Sequence, residues 1–168
     1  IVSTGLPVNM NLVGSYDLTY NVTDSSGNSA NPVTRTVIVE DTTPPVISLA
    51  GDKPAAVEAG IAYVEAGATA TDNYDGDISL SIIYGGSIDH NTIGPYVLTY
   101  DVTDSEGNAA VQATRTVNVA DTIAPVITIN GNNPETIQAG DAYVDAGASA
   151  LDSFAGDMTG SIITTGLA

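Results

Sequence analysis

The 168-residue chain carries 20 acidic and three basic residues, which gives a formal net charge of −17 at pH 7. This charge disfavours nucleic acid and anionic membranes as partners and favours cations. With 43% hydrophobic residues, the chain is apolar enough to fold and is not a disordered acidic tail. Because it is rich in Val, Ile, Ala, Gly and Tyr and poor in Lys and Met, its composition predicts an all-β protein.

An internal repeat organises the chain. The segment DTTPPVISL that begins at Asp41 recurs as DTIAPVITI at Asp121, 80 positions later. The segment from Tyr16 to Asn28 recurs at the same offset, between Tyr96 and Asn108. We therefore expect a window on a longer tandem array, in which further chain or another copy completes each half-repeat. The predicted parts are the second half of a repeat in 1–40, a complete repeat in 41–120 and the first half of a repeat in 121–168.

Strand and turn signals alternate within the complete repeat. The predicted strands cover residues 46–49, 55–58, 67–71, 78–84, 97–103 and 113–119. About seven short strands in a unit of this size predict a small β-sandwich. Gly94-Pro95-Tyr96 and its counterpart Gly14-Ser15-Tyr16 each precede a long strand and predict a tyrosine corner, in which the Tyr hydroxyl bonds to the backbone upstream.

Three motifs carry a resemblance to a known family. They are DTTPPVI from Asp41, GATATDNYDGD from Gly67 and YDVTDSEGN from Tyr100. With them, essentially the whole chain resembles the immunoglobulin-like tandem repeats of bacterial surface proteins, relatives of the hyalin repeat. The resemblance implies an all-β fold of tandem immunoglobulin-like β-sandwich repeats of about 80 residues. It also implies a secreted or cell-surface protein that serves as a spacer or adhesin arm and is often stiffened by calcium.

The stretch from Asp72 to Asp77 places three carboxylates within six residues, so it needs a counter-ion. In a sandwich of this kind, the start of the first strand, the loop after the second strand and the last hairpin lie at one pole. Carboxylate oxygens suit Ca²⁺, which takes six to eight oxygen ligands. In the alternative interpretation, each Asp only accepts N–H groups of its own turn. The expected calcium ligands are Asp41, Asp72, Asp75, Asp77 and Asp104.

The third part of the chain departs from this pattern, because Ala155 stands where the complete repeat has Asp75. We expect weaker or absent calcium binding there, with Phe154 replacing Tyr74 as an apolar plug. The remaining candidate ligands are Asp121, Asp152 and Asp157. Glu58 and Glu65 fall near the opposite pole, where they would face the next linker; solvated surface charge is the favoured interpretation for both.

Catalysis has little support. The single His, His90, lies in a turn-like connection, and a sandwich of about 80 residues lacks the depth for a substrate cleft. We expect a non-catalytic, calcium-stiffened spacer at the bacterial cell surface, whose partners are neighbouring repeats or further copies of itself. One alternative is a filament subunit completed head-to-tail between copies. The other is a module that binds a glycan or surface receptor through exposed Tyr74 and Tyr84, although Trp is absent.

Overall fold

The computed structural model describes residues 2–4 and 8–166, with the backbone alone for residues 2–4. The ends of the two predicted half-repeats, at residues 1, 5–7, 167 and 168, lie outside this description. The described chain is all-β, with two short 3₁₀ turns at Ser79–Ser81 and Thr159–Ser161. No helix in this part of the chain is long and apolar enough to cross a membrane.

The strands that the structure describes fall into three groups along the chain. The first group is β1 (Val2–Thr4), β2 (Gly14–Asn21) and β3 (Val33–Val39). The second is β4 (Val46–Leu49), β5 (Ala55–Glu58), β6 (Ala68–Asp72), β7 (Gly76–Asp77), β8 (Ile83–Gly85), β9 (Gly94–Asp101) and β10 (Ala113–Ala120). The third is β11 (Val126–Ile129), β12 (Ala148–Asp152) and β13 (Gly156–Asp157). The second group has the number of strands that the sequence predicts for residues 41–120.

Hydrogen bonding joins these strands into sheets of order β1-β2-β3, β4-β6-β7, β5-β10-β9-β8 and β11-β12-β13. The pair β5 and β10 is parallel, with Val117 opposite Ala55. Five strands recur at the 80-residue offset: β9 matches β2, β10 matches β3, β11 matches β4, β12 matches β6 and β13 matches β7. The predicted all-β, sandwich-like fold class is confirmed, while the domain boundaries remain a prediction.

The chain divides into two compact units. The first takes residues 1–50, 67–84 and 100–113, and the second takes residues 51–66, 85–99 and 114–168. In the first unit, Ala70 and Tyr100 are fully buried, and the ring of Tyr84 meets Tyr100 edge-on with centroids 5.3 Å apart. In the second unit, Val117 and Val119 are the buried core residues of β10.

Both predicted tyrosine corners are present. The hydroxyl of Tyr16 donates to the carbonyl of Leu12 at 2.8 Å, and that of Tyr96 donates to the carbonyl of Thr92 at 2.9 Å. Each bond ties the start of a long strand to the loop before it. The corner therefore fixes how the chain enters β2 and β9.

The predicted strand 78–84 is wrong. Residues Ser79–Ser81 form a 3₁₀ turn instead, and only Ile83–Gly85 is extended. Asp77 causes the bend because its Oδ1 accepts both the N–H of Ser79 at 3.0 Å and its hydroxyl at 2.6 Å. Such local side-chain bonds compete with the hydrogen bonds of a sheet.

The side chain of Arg115 is the largest fully buried one in the described chain. Within the second unit, its Nε lies 3.2 Å from Oε1 of Glu65, and its Nη1 donates to the carbonyl of Asp52. The favoured interpretation of Glu65 as a solvated surface charge is therefore wrong. The charge of Arg115 is therefore balanced by Glu65.

Arg115→Ala should lower the free energy of unfolding by about 3 kcal/mol, because it leaves Glu65 partly buried without its counter-charge. Urea denaturation followed by circular dichroism measures this. Arg35→Ala is the matched control, since Arg35 occupies the same repeat position on β3 but is exposed, and it should cost less than about 0.5 kcal/mol. Equal losses in the two variants would contradict the importance of the buried pair.

Candidate metal site

Three aspartates converge in the first unit. Asp41 lies in the linker before β4, Asp72 ends β6, and Asp104 lies in the hairpin between β9 and β10. One carboxylate oxygen from each lies within 4.8 Å of one from both others. The structure thus brings together three of the five predicted ligands of the complete repeat.

Local hydrogen bonds orient the first two carboxylates. Oδ1 of Asp41 accepts the N–H of Thr43 at 3.1 Å. Oδ1 of Asp72 accepts the N–H groups of Tyr74 at 2.7 Å and Asp75 at 3.0 Å. In both residues, Oδ2 is buried and has no hydrogen-bond partner. A buried carboxylate oxygen without a partner is costly, so these two oxygens need a cation or a proton.

Asp104 is buried and firmly held. Its Oδ1 accepts the N–H groups of Glu106 and Asn108, and its Oδ2 accepts the side-chain amide of Asn108 at 2.8 Å. Burial opposes ionisation, but the bonds from Asn108, Gly107 and Glu106 outweigh it and hold the pKa of Asp104 below its ordinary value. The same Asn108 amide donates to the carbonyl of Asp41 at 3.1 Å, which ties the hairpin to the linker.

Asp75 and Asp77 are not members of this group of three. The two oxygens of Asp75 accept the N–H and the hydroxyl of Ser105, each at 2.7 Å, so Asp75 joins the acidic loop to the hairpin. Asp77 bonds to Ser79, whose hydroxyl and N–H lower the pKa of Asp77. Their role as metal ligands stays a prediction.

The third part of the chain repeats half of the arrangement, within the second unit. Asp152 is buried, and its Oδ1 accepts the N–H groups of Phe154 and Ala155, as Asp72 does in the complete repeat. Asp157 bonds to Thr159, which lowers the pKa of Asp157. No group of three acidic residues forms around Asp121 in the part of the chain that is described.

Glu58 contacts the linker that contains Asp121. Its Oε1 accepts the N–H of Thr122 at 2.8 Å, and its Oε2 accepts the Thr122 hydroxyl; these bonds lower the pKa of Glu58. The favoured interpretation of Glu58 as a solvated surface charge is therefore wrong, and the alternative, that it faces the next linker, is confirmed. The recurrence of Asp-Thr at 41–42 and 121–122 was the available signal, because a linker Thr offers two donors to one carboxylate.

Two aromatic residues at the tips of matching loops contact residues that lie earlier in the chain. In the first unit, the hydroxyl of Tyr74 accepts the N–H of Val13 at 3.3 Å. In the second unit, the ring of Phe154 lies so near Gly60 that a Cβ there would sit 3.7 Å from it. Tyr84, 54% exposed, keeps more accessible surface than Tyr74, at 37%.

Residues 1–39 and 47–119 match the sequence model of the family described as bacterial surface protein, Ig-like domain. The chain belongs to this family. The resemblance inferred from the motifs is therefore confirmed, and the chain is an immunoglobulin-like module of the surface-protein type. Calcium binding does not follow from membership and is argued separately below.

Two curated proteins are similar in sequence. Hyalin from Strongylocentrotus purpuratus is 33% identical over 142 residues, which cover 79% of this chain and 12% of hyalin. An uncharacterized 81.3 kDa protein of Acholeplasma phage L2 is 32% identical over 123 residues, 70% of this chain and 16% of that protein. The chain thus spans a small fraction of the length of either relative.

Two solved structures are similar to parts of the chain. The lipoprotein BT2262 from Bacteroides thetaiotaomicron is 39% identical over 48% of this chain and 39% of its own, with a TM-score of 0.42. The structure of the CBM51-2 domain with GlcNAc and of the INT domains of Clostridium perfringens ZmpB is 24% identical over 52% of this chain and 20% of its own, with a TM-score of 0.39. Neither similarity is high enough to bear on function.

Asp152→Asn should lower the pKa of Asp121. Much of Asp121 is exposed, yet loss of water around its carboxylate and then the charge of Asp152 raise its pKa above the ordinary value. When folding raises the pKa of a carboxylate, the free energy of unfolding falls as the pH rises from the unfolded pKa through the folded one. This pH-dependent loss of stability should be smaller in the variant. NMR titration in chelator measures both values. Asp157→Asn is the control, and an Asp121 pKa unchanged by Asp152→Asn would contradict the coupling.

Proposed function

We propose that the chain is a structural spacer of a surface protein whose linker is stiffened by calcium bound to Asp41, Asp72 and Asp104. The observation that carries this proposal is the pair of buried, partnerless Oδ2 atoms on Asp41 and Asp72. They lie beside the carboxylate of Asp104, whose lowered pKa favours its ionised form. Three converging carboxylates suit a divalent cation better than a single proton.

Stiffening follows from where the three ligands sit in the chain. Asp41 belongs to the linker, whereas Asp72 and Asp104 belong to loops of the repeat that the linker precedes. An ion that all three bind would fix the linker to that repeat. Pro44 and Pro45 already limit the linker's conformations, and Asn108 bonds to the carbonyl of Asp41, so little freedom would remain.

Calcium is the expected ion because the three residues of the site offer only oxygen ligands. Ca²⁺ accepts six to eight oxygens in flexible arrangements, including backbone carbonyls and water. Mg²⁺ requires near-octahedral geometry and gives up its water reluctantly. Zn²⁺ favours nitrogen and sulfur ligands in structural sites, and the chain has no Cys and one His.

Calcium should raise the melting temperature of the chain above its value in chelator. At a calcium concentration 100 times the dissociation constant, the free energy of unfolding should rise by about 2.7 kcal/mol. Asp72→Asn should abolish this gain, because the amide keeps the Oδ1 bonds to Tyr74 and Asp75 and replaces Oδ2 by a donor. Scanning calorimetry with and without calcium measures the difference.

The matched control is Asp24→Asn. Asp24 holds the repeat position of Asp104 and accepts the N–H groups of Ser26 and Asn28, but it joins no acidic group of the described chain. This variant should keep the full calcium gain. If calcium does not change the melting temperature of the unmodified chain, the proposal is refuted. The aspartates of the acidic loop would then only accept N–H groups of their own turns.

One calcium ion should bind tightly per chain, because the three-carboxylate group forms once in the described residues. Isothermal titration calorimetry gives the stoichiometry. Asp152→Asn should leave this tight site unchanged, and Asp72→Asn should remove it. Two equally tight ions would show that the loop containing Ala155 binds as well as the loop containing Asp75.

Head-to-tail assembly between copies is a second candidate function, and differences in exposure between matched residues favour it. Val102 is 3% exposed, whereas Val22, at the same repeat position, is 46% exposed. Arg115 is fully buried, whereas Arg35 is exposed. Apolar and charged groups that are buried in residues 41–120 thus remain accessible in residues 8–40, where further chain or another copy can cover them.

A further inference from the structure

One residue pair joins the acidic loop, residues 72–77, to the hairpin between β9 and β10. Oδ2 of Asp75 accepts the N–H of Ser105, and its Oδ1 accepts the Ser105 hydroxyl, each at 2.7 Å. Hydrogen bonds to an ionised carboxylate are short and strong, and here both oxygens take part. Ser105 directly follows Asp104 in the chain. The pair therefore fixes the residue next to one of the three proposed calcium ligands.

The backbone of Asp75 contacts a second of these ligands. Its N–H donates to Oδ1 of Asp72 at 3.0 Å, beside the bond from the N–H of Tyr74. Asp75 is not a member of the group whose carboxylate oxygens lie within 4.8 Å of one another. Its two oxygens are directed at Ser105 instead. Asp75 thus contacts Asp72 and the neighbour of Asp104 without adding an oxygen to that group.

Asn108 ties the linker to the same hairpin. Its side-chain amide donates to Oδ2 of Asp104 at 2.8 Å and to the carbonyl of Asp41 at 3.1 Å. Protein contacts therefore connect all three segments that carry the proposed ligands, namely the acidic loop, the hairpin and the linker. The residues that make these contacts lie between positions 41 and 108 and belong to the first unit.

These connections affect metal binding because three carboxylates repel one another. If the acidic loop could move away from the hairpin, Asp72 would separate from Asp104, and a cation would have to order both segments as it binds. Bonds that the protein has already formed reduce this ordering cost, and affinity rises accordingly. Residues that hold metal ligands in place commonly change metal affinity by about 10- to 100-fold when they are replaced.

We propose that Asp75 and Ser105 are the positioning pair of the calcium site, which holds Asp72 and Asp104 at the spacing that the ion requires and does not bind the ion itself. The inference rests on the proposed function, and it gives Asp75 a role that differs from the ligand predicted from the sequence. The two roles predict opposite effects at Ser105. A ligand Asp75 must first release Ser105, so loss of the Ser105 hydroxyl would tighten calcium binding. A positioning Asp75 needs Ser105, so the same loss weakens calcium binding.

Isothermal titration calorimetry of the full chain with calcium measures this effect. Ser105→Ala should weaken calcium binding about tenfold, because the hydroxyl bond to Asp75 is lost while the N–H bond remains. Ser105→Thr should bind like the unmodified chain, because it keeps the hydroxyl. Asp75→Ala removes the acceptor and should also weaken binding. In the Asp75→Ala chain, Ser105→Ala should have no further effect, since the two residues act as one unit.

Thr92→Ala is the matched control. The Thr92 hydroxyl donates to Oδ2 of Asp89 at 2.8 Å, so this variant also removes a hydroxyl bond to an aspartate, but in a turn of the second unit. Its calcium affinity should equal that of the unmodified chain. Melting temperatures in chelator check that the Ser105 variants fold, which is expected because Ser105 is exposed.

The unmodified chain separates failure of this inference from failure of the calcium proposal. If it binds one calcium ion and Ser105→Ala binds equally or more tightly, the positioning role is overturned and the calcium proposal stands. A further loss of affinity from Ser105→Ala in the Asp75→Ala chain would also overturn the positioning role, because the two residues would then act independently. If the unmodified chain binds no calcium, both proposals are overturned.

Discussion

The convergence of three carboxylates is the constraint on which the linker and its loops depend. Asp41, Asp72 and Asp104 meet because the linker, the end of β6 and the β9–β10 hairpin lie at one pole of the first unit. N–H groups hold one oxygen of Asp41 and of Asp72, which leaves the partnerless oxygens in buried positions. The buried arginine is engaged with Glu65, so the chain's own cation does not balance this charge. In the calcium proposal an ion from solution balances this charge, and the geometry of the linker then depends on the ions around it.

Matched residues at the 80-residue offset show that burial depends on what covers a segment more than on the segment itself. The sequence TRTV occurs in both β3 and β10, yet Arg35 is exposed and Arg115 is fully buried. Likewise, residues 55–58 form a strand and residues 135–138 do not, although both follow an X-Pro turn. In both cases the difference is the neighbouring strand, because backbone pairing and side-chain cover arrive together in a sheet.

The sequence predicts the features that local pattern and topology determine. The repeat offset, most strand positions, both tyrosine corners and the meeting of Asp41 with Asp72 and Asp104 were all accessible in this way. Contacts between residues that are far apart in the sequence could not be predicted in this way. The sequence around Glu65 predicts a surface position because its partner, Arg115, lies 50 residues later in another strand. Strand 78–84 failed for a local reason instead, since the bond from Ser79 to Asp77 outweighs the strand preference of the isoleucines around it.

The bond between Asp75 and Ser105 changes how the two acidic loops compare. Both oxygens of Asp75 already accept hydrogen bonds from Ser105, so this carboxylate holds the loop against the hairpin that carries Asp104. Ala155, at the matching position of the third part, has no carboxylate to accept such bonds, whereas Asp152 accepts the N–H groups that match those bound by Asp72. Phe154 against Gly60 offers a different support for the loop. Cation affinity in the third part would then depend on whether a third carboxylate reaches Asp121 and Asp152, and not on the residue at position 155.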